Sequence, residues 1–547
     1  MSDPAVSAPA SAPPPHAPVG SALARQFARA HRMLVVTLLG FASGLPLALT
    51  GQSLQAWMTL DGLDIATIGF LSLVGLPYTF KFLWAPLMDR FDLPWLGRRR
   101  GWLVLTQLGL AGLLWLLSHG SPAGALHIFA LLALAVAFAS ASQDVVIDAY
   151  RTDLLPAAER GFGASVAVLG YRLAMIVSGG IAFIWTDPGQ AVGGVAAWTW
   201  PEVYRVMALL MVGAALVSAT ALPKVPRPAM PPTLARHDLI GFVAVVAAVG
   251  VGYLLTWQVF SPLAQLALAP WLEATALPAN LRQRWADLVA LLLGLGVTLP
   301  LAAWAARRAR FHTLLDGLHS YFSQAGAWGF LAFIVLYKLG DAFAGALMTP
   351  FLLTGMGYSP AEVGVVNKVL GLWLTIGGAL VGGLLMLKLG LWRSLMAFGI
   401  FQLLSNLGFW WLAVNGRGAL PGLELPAFDW GFVSLAQATP VDGGLLMVIA
   451  FENISGGMGT AAFVAFLMSL CNQRFTATHF ALLSAFAAVG RVWVGPMAGV
   501  LAQSIGWPLF FIVTTVAAAP ALLLLWWLRQ PVRALEVDPA APPARED

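Results

Sequence analysis

The chain has 547 residues, 59% of them hydrophobic and only 10% charged, whereas a soluble domain carries about a quarter charged residues. That balance argues against a soluble enzyme, and the net charge of +5 sits in short basic clusters between apolar runs rather than on a nucleic-acid-binding face. One cysteine, Cys471, excludes intrachain disulfides and multi-cysteine metal sites.

In chain order, residues 1–30 are rich in Ala, Pro and Ser and are expected to form a disordered tail without a secretory signal. Apolar runs long enough to cross a hydrocarbon core about 30 Å thick as helices then recur to the end. The first six are predicted at 33–58, 66–88, 101–118, 125–148, 162–185 and 203–222. Two more follow at 239–260 and 286–306, and the last six lie at 326–350, 361–387, 391–414, 443–470, 477–501 and 506–528. The reading is an all-α integral membrane protein of fourteen spans. A six-helix half at 31–222 and another at 326–530 flank a linker, 223–325, that carries two extra helices; a second disordered tail fills 531–547. Within the linker, Phe311, Leu314, Leu315 and Leu318 recur at helical spacing, which fits a segment lying flat on the membrane or a solvated connection. Placing the N-terminus in the cytoplasm puts most Lys and Arg of the loops on that side, so both termini are expected to be cytoplasmic.

The halves echo each other. The fifth span carries Ser165 and Arg172, the second-to-last carries Ser484 and Arg491, and in each the serine precedes the arginine by seven residues, two helical turns on one face. Between the second and third spans, Asp89 and Arg90 precede Arg98, Arg99 and Arg100. A charge network there can latch the halves together and break on opening, the gating role assigned to these five residues; enforcing topology is the plainer alternative.

Ionisable residues inside spans are expensive in hydrocarbon and face the bundle interior or a water-filled path. Lys81, Asp144, Asp148, Arg172, Lys338, Asp341, Lys368, Glu452 and Arg491 fall at membrane depth. Asp144 and Asp148 are four apart, and Lys338 and Asp341 three apart, so each set shares a helical face. A carboxylate whose pairing changes between two states can load and release a proton, which makes Asp144, Asp148, Asp341 and Glu452 the proton-coupling candidates. The cations Lys81, Arg172, Lys338, Lys368 and Arg491 suit an anionic ligand, an arginine fork matching a carboxylate in two hydrogen bonds. Their alternative role is to neutralise the buried carboxylates. Gln143, Asn453, Tyr171 and Trp373 complete the substrate-binding candidates; for the aromatic residues, lipid or helix contact is the plainer reading.

No GxxxxGK[ST] or HExxH sequence occurs, so neither ATP nor a zinc protease centre drives the chemistry, and no cofactor or metal is expected.

The runs GFASGLPLALTGQSLQAWM, FKFLWAPLMDRF, GRRRGW, FASASQDVVIDAY and VLGYRLAMIVSGG resemble the AmpG-type muropeptide permeases of the major facilitator superfamily, as do LYKLGDAF, VGVVNKVLG, FENISGGMGTAAFVAFLMSLCN, THFALLSA and VGRVWVGPMAG in the second half. The resemblance spans about residues 33–528 except 223–325. It implies a major facilitator fold and proton-coupled import of N-acetylglucosaminyl-1,6-anhydro-N-acetylmuramyl peptides across the bacterial inner membrane, for peptidoglycan recycling and β-lactamase induction. The expected partners are the muropeptide, protons and membrane lipid, with no nucleic acid and the protein a monomer. Some family members add two spans after the twelfth, whereas here the extra pair lies between the halves. A transporter of another anionic solute, such as acetyl-CoA, is the nearest alternative.

Overall fold

The computed structural model describes residues 19–535 apart from positions within 86–95, 157–158, 192–196, 224–234, 312–325, 432–433 and 471–475, and position 276. Thirteen helices among the described residues are long and apolar enough to cross a membrane. They are α1 (Gln26–Leu60), α2 (Ile65–Leu83), α3 (Arg98–Leu117), α4 (Leu126–Leu154), α5 (Gly163–Trp185), α6 (Trp200–Thr220), α7 (Leu239–Glu273), α8 (Ala279–Arg308), α9 (Ala327–Gly355), α10 (Pro360–Leu389), α11 (Leu391–Asn415), α12 (Gly443–Ser469) and α14 (Trp507–Trp527). The remaining expected span falls in α13, Thr476–Ile505. The protein is an all-α, multi-pass membrane transporter fold.

Several boundaries differ from the sequence reading. Helix begins at Val19, inside the expected tail, and a short α15, Arg529–Ala534, buries Val532 at the other terminus. The inserted helices are longer than read. α7 runs past 260 because a π-turn at Thr256–Phe260 sits just before Pro262 and absorbs the hydrogen bond that the ring removes. α8 begins at Ala279, seven residues before the expected 286, with Pro278 as its N-cap. Most of the linker segment holding Leu314 and Leu318 lies outside the described residues; Phe311 is buried against Val245 and Ala306 of the inserted pair.

Small residues set the helix spacing. A Cβ on Gly170 of α5 would lie 2.1 Å from the Thr37 carbonyl oxygen of α1, and one on Gly40 would lie 2.2 Å from the Ala167 carbonyl oxygen. In the second half, Gly378 and Gly457 bring α10 and α12 equally close, at 2.3 Å from the Ile454 oxygen and 2.2 Å from the Thr375 oxygen. Without water to drive apolar surfaces together, such close backbone approach is what holds helices in lipid.

α1 begins and α14 ends at the same end of the bundle, here the proximal end. At the distal end the halves meet along two seams. α2 crosses α13 where a Cβ on Gly69 would lie 2.5 Å from the Gly495 oxygen and 2.8 Å from the Gly499 Cα. α5 crosses α10 where Gly180 faces Gly364, each in a π-turn, Ile176–Ile181 and Gly364–Leu370. These are the second helix of one half against the fifth of the other, twice over.

Polar contacts seal the same end. The Ala66 amide donates to Gln503 at 3.1 Å, and the Ala361 amide, opening α10, donates to the buried Asp187 of the first half at 2.8 Å. The loop before α12 folds into two small hairpins, with β1 (Leu423–Leu425) on β4 (Thr439–Val441) and β2 (Phe428–Asp429) on β3 (Ser434–Leu435). Their Gln437 and Thr439 reach Gly189 and Gln190 of the first half. Asp442 caps α12: burial would raise its carboxyl, but the amides of Gly418, at 2.6 Å, and Leu445, at 2.9 Å, hold it below the usual carboxylate range.

Because Gly170 packs directly on the α1 backbone, Gly170→Val is expected to destabilise the protein by about 1–3 kcal/mol through overpacking. A lower melting temperature of the purified protein in detergent checks this. An unchanged one would show that α1 and α5 can separate freely.

Candidate functional site

Where the halves diverge below the distal seams they enclose a cavity of about 430 Å³. The first half lines it with Thr50, Gln52 and Gln55 of α1, Tyr78 of α2 and Arg172 of α5. The second half contributes Lys338 and Asp341 of α9, Asn367 and Lys368 of α10, and Glu452 and Asn453 of α12. Six sequence candidates, Arg172, Lys338, Asp341, Lys368, Glu452 and Asn453, therefore meet in one space, although they are scattered over 282 positions (172 to 453) of the chain.

The second-half wall is the ionic one. Lys338 Nζ lies 3.8 Å from Asp341, donates to the Thr460 hydroxyl at 3.1 Å and sits 5.6 Å from the Phe463 ring centroid. Lys368, buried on the π-turn of α10, donates across the halves to the Gln52 side-chain oxygen and lies 5.9 Å from the Phe183 ring centroid. Its nearest direct partners are thus a neutral amide and a ring. Asn453 is held by its own bonds, donating to the Ile449 carbonyl and accepting from Thr375 at 2.8 Å each. On the opposite wall, Arg172 has no carboxylate within ion-pair distance among the described residues, so its guanidinium is available to an anion entering the cavity.

A second polar group lies within the first half, off the cavity. Asp144 accepts from the Ser43 hydroxyl at 2.5 Å, and Lys81 stands 3.9 Å from both Asp144 and Asp148. Arg151 joins Asp148 at 3.1 Å. Lys81 thus serves two carboxylates on one helical face and not the cavity wall where a ligand cation was expected. Asp148, more than half exposed, is the most open member.

Three other expectations do not meet the cavity. Trp373 is 55% exposed on the outer face of α10, Gln143 is fully buried in the packing of α4, and Tyr171 sits against α1 at Gly44. Arg491 lies on α13, and its side chain is outside the described set. Of the gating group, Asp89 and Arg90 lie outside the described residues. Arg99 pairs with Asp153 at 2.8 Å and Arg100 donates to the Ala219 carbonyl, both in the first half, and Arg98 is buried beside them. At the same end Arg32 grips Glu159 with two bonds of 2.7 and 3.0 Å, which, with the charge of Arg29, hold that carboxyl below its usual range. These arginines thus tie the first half to itself.

Gln52, Gln55 and Tyr78 were missed. Gln52 and Gln55, three apart in GQSLQAWM, stack on one helical face within an apolar span, a signal that was legible but carries no charge. Tyr78, whose hydroxyl meets Thr50 at 3.3 Å, is the one aromatic residue among those lining the cavity.

Comparison with known proteins follows the same lines. The chain is 41% identical over 481 residues to the anhydromuropeptide permease of Escherichia coli (strain K12), covering 88% of this chain and 76% of that one. It is 26% identical over 485 residues to the putative transporter AmpG 4 of Rickettsia conorii, covering 88% and 92%. A family profile described as acetyl-coenzyme A transporter 1 matches residues 32–187. Among solved structures, a peptide transporter POT in complex with sulfate superposes with a TM-score of 0.60 at 16% identity, covering 92% of this chain and 95% of that one. A bacterial homolog of the lysosomal transporter Spinster, inward-facing and unoccupied, gives 0.56 at 12% identity, covering 94% and 99%. At these identities the two structures speak for the fold alone.

The Lys81 group makes a test of pairing. Lys81→Ala leaves Asp144 without its cation in a site of low polarity, so it is expected to destabilise the purified protein more than the double variant Lys81→Ala/Asp144→Ala does. Melting temperatures in detergent decide it; a double variant less stable than the single one would mean that the carboxylate is satisfied without Lys81.

Proposed function

The chain belongs to the anhydromuropeptide permease family, and from that premise we propose that it imports N-acetylglucosaminyl-1,6-anhydro-N-acetylmuramyl peptides from periplasm to cytoplasm across the bacterial inner membrane. The observation that carries this reading is the relationship to a named permease, 41% identical over 88% of this chain. In this reading residues 31–222 and 326–530 are the rocking halves, the protein works as a monomer, and protons moving down their gradient supply the drive. Uptake returns wall fragments for peptidoglycan recycling and feeds β-lactamase induction.

The loop charges support an orientation with both termini in the cytoplasm. The distal end, sealed by its two seams, is then periplasmic. Peptide carboxylates of the ligand suit Arg172, Lys338 and Lys368, with Arg491 as a further candidate, and the amides of Gln52, Gln55 and Asn453 suit its sugar hydroxyls and peptide groups. Asp341 and Glu452 share the cavity with two lysines. A ligand carboxylate that draws a lysine away leaves its partner carboxylate unpaired, and an unpaired carboxylate at membrane depth takes up a proton. That exchange couples ligand to proton without either touching the other. Asp144 and Asp148 around Lys81, off the cavity, form a second group in which a change of pairing between states would load or release a proton.

Transport of acetyl-CoA is the second reading, favoured by the family profile over residues 32–187. That profile reaches only α1 to α5, whereas the permease relationship covers 88% of the chain.

Uptake of labelled anhydromuropeptide into cells lacking their own permease tests the proposal. Accumulation is expected, and it should vanish with a protonophore; labelled acetyl-CoA in inverted vesicles should show none. Asp341→Asn and Asp144→Asn are each expected to lower accumulation at least about tenfold with unchanged protein in the membrane. Arg172→Ala should raise KM about tenfold for a peptide-bearing ligand, the value of one charge-assisted contact, while leaving the bare disaccharide nearly unaffected. Absent uptake, or uptake indifferent to the protonophore, would refute proton-coupled muropeptide import.

A further inference from the structure

The inserted helices α7 and α8 lie outside the two halves, and nothing in the cavity comes from them. Yet α8 meets the bundle at one particular place. Near its N-terminus, Arg284 donates to the Thr67 hydroxyl of α2 at 2.6 Å and stands 3.9 Å from Asp64, the N-cap of that helix. The adjacent Trp285 donates its indole N–H to the Ser504 hydroxyl of α13 at 3.0 Å. Leu281 and Leu288 pack in one cluster with Ala66 of α2 and Val500 of α13. One helix outside the bundle thus holds both sides of the α2–α13 seam.

We propose that Arg284 and Trp285 are positioning residues for transport, bracing the α2–α13 seam shut from outside and so setting how often the distal end opens. The physical argument follows from the seam itself. Its inner contact is glycine on glycine, Gly69 against Gly495 and Gly499, which lets the helices approach closely but supplies no side chain to lock them. The polar ties across it among the described residues are the Ala66 amide to Gln503 and, further along, the Ser72 hydroxyl to the Val492 carbonyl at 3.3 Å. α8 adds two part-buried side-chain hydrogen bonds and an ion pair, one set to each half. Any state in which the distal end opens must part α2 from α13, and α8 cannot follow both. Opening therefore breaks either the Arg284 set or the Trp285 set, and the closed state is favoured by the set that is lost. A net hydrogen bond of ordinary strength corresponds to roughly a 3- to 10-fold bias toward closure.

The test uses the full chain with Cys471→Ser and spin labels at Asp61→Cys and Asn415→Cys, exposed positions at the distal ends of the two halves. Arg284→Ala/Trp285→Phe is expected to increase the population of long distances about 3- to 10-fold over the same labelled chain with Arg284 and Trp285 intact. If that variant is recovered poorly, Thr67→Val/Ser504→Ala removes the same bonds from the bundle side and is expected to give the same shift. In uptake assays a more populated outward state lowers the apparent KM for external ligand, a change that simple loss of stability would not produce. Distance distributions and KM that match the unmodified protein in both variants would overturn the proposal. Because the distances are measured without ligand, their outcome stands whatever the transported molecule proves to be.

Discussion

A charge in hydrocarbon must find a partner or water, and the arrangement of this bundle follows from that constraint. The first half gathers Asp144 and Asp148 around Lys81, and the second pairs Lys338 with Asp341, so neither half carries an isolated intramembrane carboxylate on these helices. What is left under-compensated faces the cavity. Arg172 has no ion-pair partner among the described residues, and Lys368 relies on an amide and a ring. The cavity also holds Asp341 and Glu452, so its three cations outnumber its two carboxylates, a balance compatible with the proposed anionic guest.

The same economy of side chains governs the moving parts. Glycines form the seams between halves and the tightest crossings within them, so backbone rather than side chains sets the distances. Contacts of that kind resist compression but not separation, which suits the proposed rocking of the halves. Strength is added where it can be given up, at the Ala361–Asp187 cap, the hairpins that reach Gly189, and the α8 contacts. The π-turns at Ile176–Ile181 and Gly364–Leu370 face each other across a seam, and one of them carries Lys368, so that cation and the seam share one π-helical stretch.

Much of this was legible in the sequence, and the exceptions have physical causes. Length and hydropathy reveal spans because every backbone polar group in lipid must be satisfied internally, leaving helices as the only structure these runs can adopt. Charges at membrane depth marked Arg172, Lys338, Asp341, Lys368 and Glu452 because burial of charge is rarely accidental. Hydropathy does not reveal which side of a wholly apolar helix faces inward, so Trp373 was expected in the site and lies on the outer face, while Gln52 and Gln55 were passed over for want of charge. Pairing was equally hidden: Lys81 and its two carboxylates are separated by at least 63 residues, and only the α2–α4 packing brings them together. The reach of α7 past Pro262 depends on a π-turn that no sequence period announces.

The central claim is that the cavity between the halves carries an anionic wall fragment in exchange for protons. Purified protein in sealed liposomes with an imposed pH gradient tests it most directly, because no other carrier is present. Labelled anhydromuropeptide is expected to accumulate when the outside is acidic, to stop accumulating when the gradient is collapsed, and to fall to the level of empty liposomes in the Arg172→Ala/Lys368→Ala variant. Equal uptake with and without the gradient, or undiminished uptake by that variant, would contradict the account.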